Sequence, residues 1–100
     1  MAERIMITPQ ELEDGAAFLR QRLDAIEQEV AQIRSKIDDV CSRWEGGAQQ
    51  AFIQQFDGDM YPILKDNVPQ VIDGVAQELE AAAQAMRDTD DALKTAFSGN

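Results

Sequence analysis

One hundred residues carry nine Lys and Arg against nineteen Asp and Glu, for a net charge of −10 with no histidine. A hydrophobic content of 44% is too high for a disordered polymer, and 6% aromatic residues suit a helical bundle better than a sheet. The acidic balance argues against nucleic acid as a partner, because phosphate binding needs Lys and Arg and the nine here are scattered, and against adsorption to anionic lipid by charge.

The chain opens on a short stretch, residues 1 to 7, that reads as an extended tail. No run reaches the ~18 apolar residues of a membrane span. Met1 to Pro9 has no apolar h-region and no small-residue cleavage site, so no classical signal peptide is expected. That fits a cytoplasmic protein, or one exported by a route that reads something else.

Helix 1 is expected from about residue 8 to residue 44. Thr8 is a good N-cap, Pro9 suits the first helical position, and Glu11 completes a capping box. Glu13 and Asp14 place negative charge near the positive end of the helix dipole. Leu12, Ala16, Leu19, Leu23, Ile26, Val30, Ile33, Ile37, Val40 and Trp44 follow a strict 4,3 rhythm. That rhythm marks an apolar seam facing another helix along its whole length, ~55 Å at 1.5 Å per residue. Cys41 is the only cysteine, which rules out an intrachain disulfide; beside the seam it reads as a small semi-buried apolar residue.

A turn is expected at residues 45 to 47, where Gly46 and Gly47 can stop a helix without a Cβ penalty. A loop this short makes the flanking helices antiparallel neighbours. Helix 2 is expected from about residue 48 to residue 97. Its apolar face is wider than a seam, with adjacent pairs at 52/53, 63/64 and 71/72. Pro62 and Pro69 each remove a backbone donor and clash with the preceding turn, so kinks or a brief break are expected between about 60 and 70, the pattern on both sides favouring one bent helix. Counting back from the turn, Thr8 lies opposite about Ala83. Residues from Gln84 to Phe97 then overhang without a partner by about 21 Å.

The fold expected is therefore all-α: one antiparallel two-helix hairpin over residues 1–100. Two helices share only one interface, and a single core of this size is marginal. Pairing with a second hairpin into a four-helix bundle is the expected remedy. Phe18, Ile53, Leu64, Ile72 and Phe97 are the candidates for that dimer interface.

Catalytic chemistry is missing from the sequence. Without His there is no imidazole base and no His metal ligand, and one Cys cannot build a zinc site. No phosphate-binding Gly loop occurs. Asp57-Gly58-Asp59 starts like a calcium loop but lacks the Gly and Glu at the later positions. Asp88, Asp90 and Asp91 read as a solvated face. No catalytic residue, metal or cofactor is expected, and a long helical hairpin offers no obvious substrate cleft.

About 100 residues, a long helix, Trp44-Glu45-Gly46 near mid-chain and a second long helix resemble the Trp-X-Gly family. These are the small early-secreted-antigen-like substrates of bacterial type VII (ESX) secretion. A bare W-x-G is common by chance; one at the central turn of a heptad-patterned hairpin is specific, and the resemblance covers the whole chain. It implies a hairpin that dimerises, with itself or with a sister protein, into a four-helix bundle. It implies folding in the bacterial cytoplasm, export without a signal peptide, and recognition by a type VII export ATPase. The family's C-terminal Tyr-x-x-x-Asp/Glu signal maps onto Met86-Arg87-Asp88-Thr89-Asp90, with Met86 in place of the tyrosine and Asp90 conforming. That departure favours a heterodimer with a sister that carries the tyrosine, and leaves a homodimer open. Trp44, Glu45 and Gly46 form the turn motif; Met86 and Asp90 are the candidate export signal, at i and i+4 on one helix face. The competing reading is a cytoplasmic coiled-coil adaptor that is not exported.

Overall fold

Thr8 starts the first arm by accepting a hydrogen bond from the Glu11 N–H at 3.1 Å, while its own backbone carbonyl accepts from Leu12 N–H at 3.1 Å. With Pro9 at the first turn, α1 runs from Pro9 to Ser42. The computed structural model describes residues 7–98, and in it two long antiparallel helical arms form a hairpin. The hairpin is a rod of 79 × 24 × 21 Å.

The first arm ends earlier than the seam suggests. Arg43 leaves the helical region at φ −108°, ψ 7°, and the N–H groups of Arg43 and Trp44 donate to the Val40 and Cys41 carbonyls. Trp44 thus lies outside the helix. Gly46 does not stop α1 but opens the next helix: it is the N-cap of α2 (Gly47–Gln55), at φ +117° and ψ 179°.

The second arm is α2, two π-helical turns and α3. The first π-turn, Phe56–Met60, closes with the Tyr61 N–H donating to the Phe56 carbonyl. The second, Ile63–Asn67, closes with the Val68 N–H donating to the Ile63 carbonyl. α3 then runs Val68–Ser98. One residue past each five-residue span comes a proline that has no N–H to give, Pro62 after Tyr61 and Pro69 after Val68. Tyr61, Pro62 and Val68 keep right-handed helical dihedrals, so the backbone passes both prolines as helix.

The arms meet at small residues. Ala16, Ala76 and Ala83 are fully buried, with Val30, Cys41 and Phe56 nearly so. The ladder of α1 splits into two rows. Ala16, Leu23, Val30 and Ile37 are buried or half-buried along their whole row, whereas the other row is half-buried at Leu12, Leu19 and Ile26 and becomes 42% exposed at Ile33 and Val40, toward the turn.

The arms overlap further than a turn at 45–47 implies. Glu13 is ion-paired to Arg87, and Pro9 borders the same hollow as Met86 and Leu93. The uncovered stretch expected from Gln84 onward is therefore shorter, beginning only past Leu93. The π-turns contribute, because each takes up an extra residue without a full residue's advance along the arm.

Candidate interaction surfaces

One flank of the hairpin is closed by ion pairs across the arms. Glu13 accepts from Arg87 at 2.5 and 3.0 Å. Arg20 donates to Glu80 and reaches Asp73 at 3.5 Å. Arg34 donates to Asp57 at 2.5 Å and to Asp38 at 3.3 Å. The Arg87 hydrogen bond, helped by its charge, holds the Glu13 carboxyl below its ordinary pKa. The matching hydrogen bonds raise Arg20 and Arg34 further above theirs, Glu80 acting first on Arg20 and Asp57 first on Arg34.

Exposed apolar side chains remain at two levels of the rod, Ile33 and Val40 on α1 toward the turn and Val71 and Val75 on α3 at the level of Arg20, with Val71 66% exposed.

The five side chains expected at an interface are divided by the structure. Phe18 and Phe97 are exposed. Ile53, Leu64 and Ile72 are half-buried, and two of them turn toward α1. Ile53 lies in a hollow with Ile37 and Cys41, and Leu64 in one with Val30 and Ala31.

At the turn, Trp44 remains 38% exposed and packs on Phe52, ring centroids 5.9 Å apart. Phe52 stacks on Phe56 at 6.0 Å, and Phe56 meets Tyr61 at 5.7 Å. This file of rings ends under Arg34, whose guanidinium lies 4.9 Å from the Tyr61 ring centre and 5.7 Å from that of Phe56. A cation over a ring face gains from the ring quadrupole, so Arg34 joins the aromatic file to the ion-paired flank. Glu45 and Gly46 are exposed.

At the open end, Met86 is half-buried and Asp90 exposed, 3.5 Å from Lys94. Both border a hollow of about 580 Å³ that Pro9, Ala85, Arg87, Thr89 and Leu93 complete. The structure thus brings Met86 and Asp90 together and keeps them at the far end of the rod from Trp44. They lie beside the start of α1 and not beyond it.

Sequence reasoning missed the ion-paired flank, though a signal was present. Glu13, Arg20, Glu27 and Arg34 alternate in sign every seven residues on α1, and Asp73, Glu80 and Arg87 follow the same interval on α3. Charges at that interval beside an apolar seam set pairing between neighbouring helices. Among the described residues no group of three acidic or sulfur side chains is placed to hold a metal ion. No described helix is long and apolar enough to cross a membrane.

The family model of proteins of 100 residues with WXG matches residues 4–91. Protein YukE of Bacillus subtilis (strain 168) is 26% identical over 99 residues, which cover 99% of this chain and 100% of that protein. The crystal structure of EsxA from Geobacillus thermodenitrificans superposes with a TM-score of 0.67 at 27% identity, covering 93% of this chain and 98% of that one.

Proposed function

This chain belongs to the WXG100 family, whose members are small proteins secreted by type VII systems, and we propose that it is itself such a substrate, working as a dimeric helical binding module without enzymatic activity. The observation that carries this reading is the apolar surface that one hairpin leaves uncovered. The ion pairs between the arms are satisfied within the chain, whereas Ile33, Val40, Val71 and Val75 leave apolar side chains in water. A second hairpin laid over them completes a four-helix core. Phe18 and Phe97 extend the contact; Ile53, Leu64 and Ile72 support it from within the hairpin.

Met86 and Asp90 are the export signal in this reading. A helix face that offers an apolar side chain four residues before a carboxylate, beside an open hollow, can be read by an export ATPase without opening the bundle. Trp44 and Gly46 act first as the turn: Trp44 closes the aromatic file and Gly46 reverses the chain. Glu45 is a solvent-facing linker between them.

A secretion assay tests the proposal. The protein should reach the culture supernatant from cells with an intact type VII system and stay inside cells lacking its ATPase. Met86→Ala with Asp90→Ala should abolish export while the helical circular dichroism is unchanged. Retention inside cells with intact machinery would favour the cytoplasmic adaptor. Normal export of a folded double variant would remove the signal from these two residues. Native mass measurement after co-expression with a sister protein separates heterodimer from homodimer.

A further inference from the structure

The second arm carries an apolar run that an α-helix cannot keep on one face. Phe52, Phe56, Met60, Leu64, Val68, Ile72 and Ala76 recur every four residues. At 3.6 residues per turn each step overshoots by about 40°, so six steps drift by about 240° around the helix. A drift of that size would point Phe52 and Ala76 to different sides of the arm. Yet Phe56 and Ala76 are both buried, and Phe52, Leu64, Val68 and Ile72 are half-buried; Met60, at the end of the first π-turn, is the one member of the run that is exposed, at 42%. The two π-turns fall inside this run, at Phe56–Met60 and Ile63–Asn67. Each inserts about one residue, or about 100° of rotation, so the pair absorbs about 200° of the drift. The remainder fits within an apolar stripe ~100° wide. Beyond Ala76 the spacing returns to three and four, with Leu79, Ala83 and Met86, and the backbone there is plain α-helix.

We propose that the two π-turns are a register device: they rotate α3 by about 200° relative to an uninterrupted α-helix, and so decide which face of α3 meets α1 and which carries Val71 and Val75 outward. The four-residue spacing calls for the turns, and the prolines lock them. Pro62 and Pro69 follow the closing donors Tyr61 and Val68, where a tight α-turn would bring the ring against the carbonyl four residues back. The orientation of the open-end hollow is thus set by residues some twenty positions away. This inference concerns the folding of the chain and stands whether or not the protein is exported.

Deletions test it. In a Pro62→Ala, Pro69→Ala background, removal of the exposed Asp59 and Asp66 takes one residue from each π-turn and leaves the buried faces in phase. That variant should melt cooperatively within about 5 °C of its background. Removal of Gln77 and Glu78 from the same background takes two exposed residues out of α3 and throws Leu79, Ala83 and Met86 off the core. Its melting temperature should fall by more than about 15 °C, since a domain of this size loses several degrees per unit of core stability. Equal damage from the two deletion pairs would overturn the proposal. A second measurement uses the full-length Pro62→Ala, Pro69→Ala chain. Nuclear Overhauser contacts between Gly15 and Leu79, adjacent in the parent fold, should persist. Their replacement by contacts from a rotated α3 would show that the prolines alone impose the register.

Discussion

Gly46 holds a conformation that almost no other residue tolerates. At φ +117° and ψ 179° it lies in a region open essentially to glycine alone, and a Cβ there would meet nothing within 4 Å. The cost of a side chain is therefore purely backbone. Gly46→Ala is expected to destabilise the hairpin by about 1–3 kcal/mol, whereas Gly47→Ala, in a helical position with open space around it, should leave the urea midpoint nearly unchanged. The glycine of the motif was legible in the sequence; its task was not. The glycine pair reads as a helix stop, but α1 has already ended at Ser42, and Gly46 serves to launch α2 so that Phe52 comes under Trp44. At the other end, Glu13 carries the pH dependence. Its pKa is lowered from 4.5, first by the hydrogen bond from Arg87. A lowered carboxyl pKa contributes stability that is complete above the unfolded value and lost as pH falls through the folded one. The loss is thus confined to pH below about 4.5, and it is small because both side chains are more than a third exposed. Thermal melts at pH 7 and pH 3 should show a smaller acid-induced drop for Arg87→Gln than for the parent chain.

The arms were legible as elements because each obeys a simple physical rule. Thr8, Pro9 and Glu11 mark the start of α1, and the 4,3 ladder marks its face. The internal construction of the second arm is less legible, because two prolines normally argue for a break. The four-residue spacing from Phe52 to Ala76 is the stronger indicator, since only an under-wound helix keeps such a run on one side. The ladder on α1 also hides a division. A seam of period 3.5 has two rows, and a hairpin with one partner arm needs only one of them fully. Val30 is buried while Ile33 and Val40, three and ten residues on, are exposed. The inner row works at close range, where Ala16, Ala76 and Ala83 have no exposed surface. Close-packed alanines fix the spacing between arms, and a longer side chain there must push them apart. Ala76→Leu is expected to cost about 1–3 kcal/mol through overpacking. Ala81→Leu, on the exposed side of the same helix, should be nearly neutral. Chemical denaturation of the two variants side by side checks the assignment of faces.

A rod of 79 × 24 × 21 Å has little interior, and no large side chain among the described residues is fully buried. A molecule built this way gains most of its stability where a second rod covers it. The ion-paired flank is a poor place for that cover, because docking there would strip water from Glu13, Arg20, Arg34 and Arg87. The exposed flank of α3 around Val71 and Val75 has no such penalty. A two-fold dimer would use each exposed side chain twice, so one substitution places two charges in the interface. Val71→Glu is the sharpest probe: Val71 is 66% exposed in the single hairpin, so the change has little to disturb within one chain. If the flank is the interface, Val71→Glu should shift the sedimenting species from about 22 kDa to the 11.1 kDa chain. The parent's melting temperature should rise with protein concentration, as mass action requires for a stabilising association, while the variant's should not. Arg22→Glu, exposed and outside every ion pair described above, serves as the charge control. A parent that sediments as a monomer at micromolar concentration, alone and with a sister protein, would leave that flank of α3 uncovered and remove the four-helix bundle from the account.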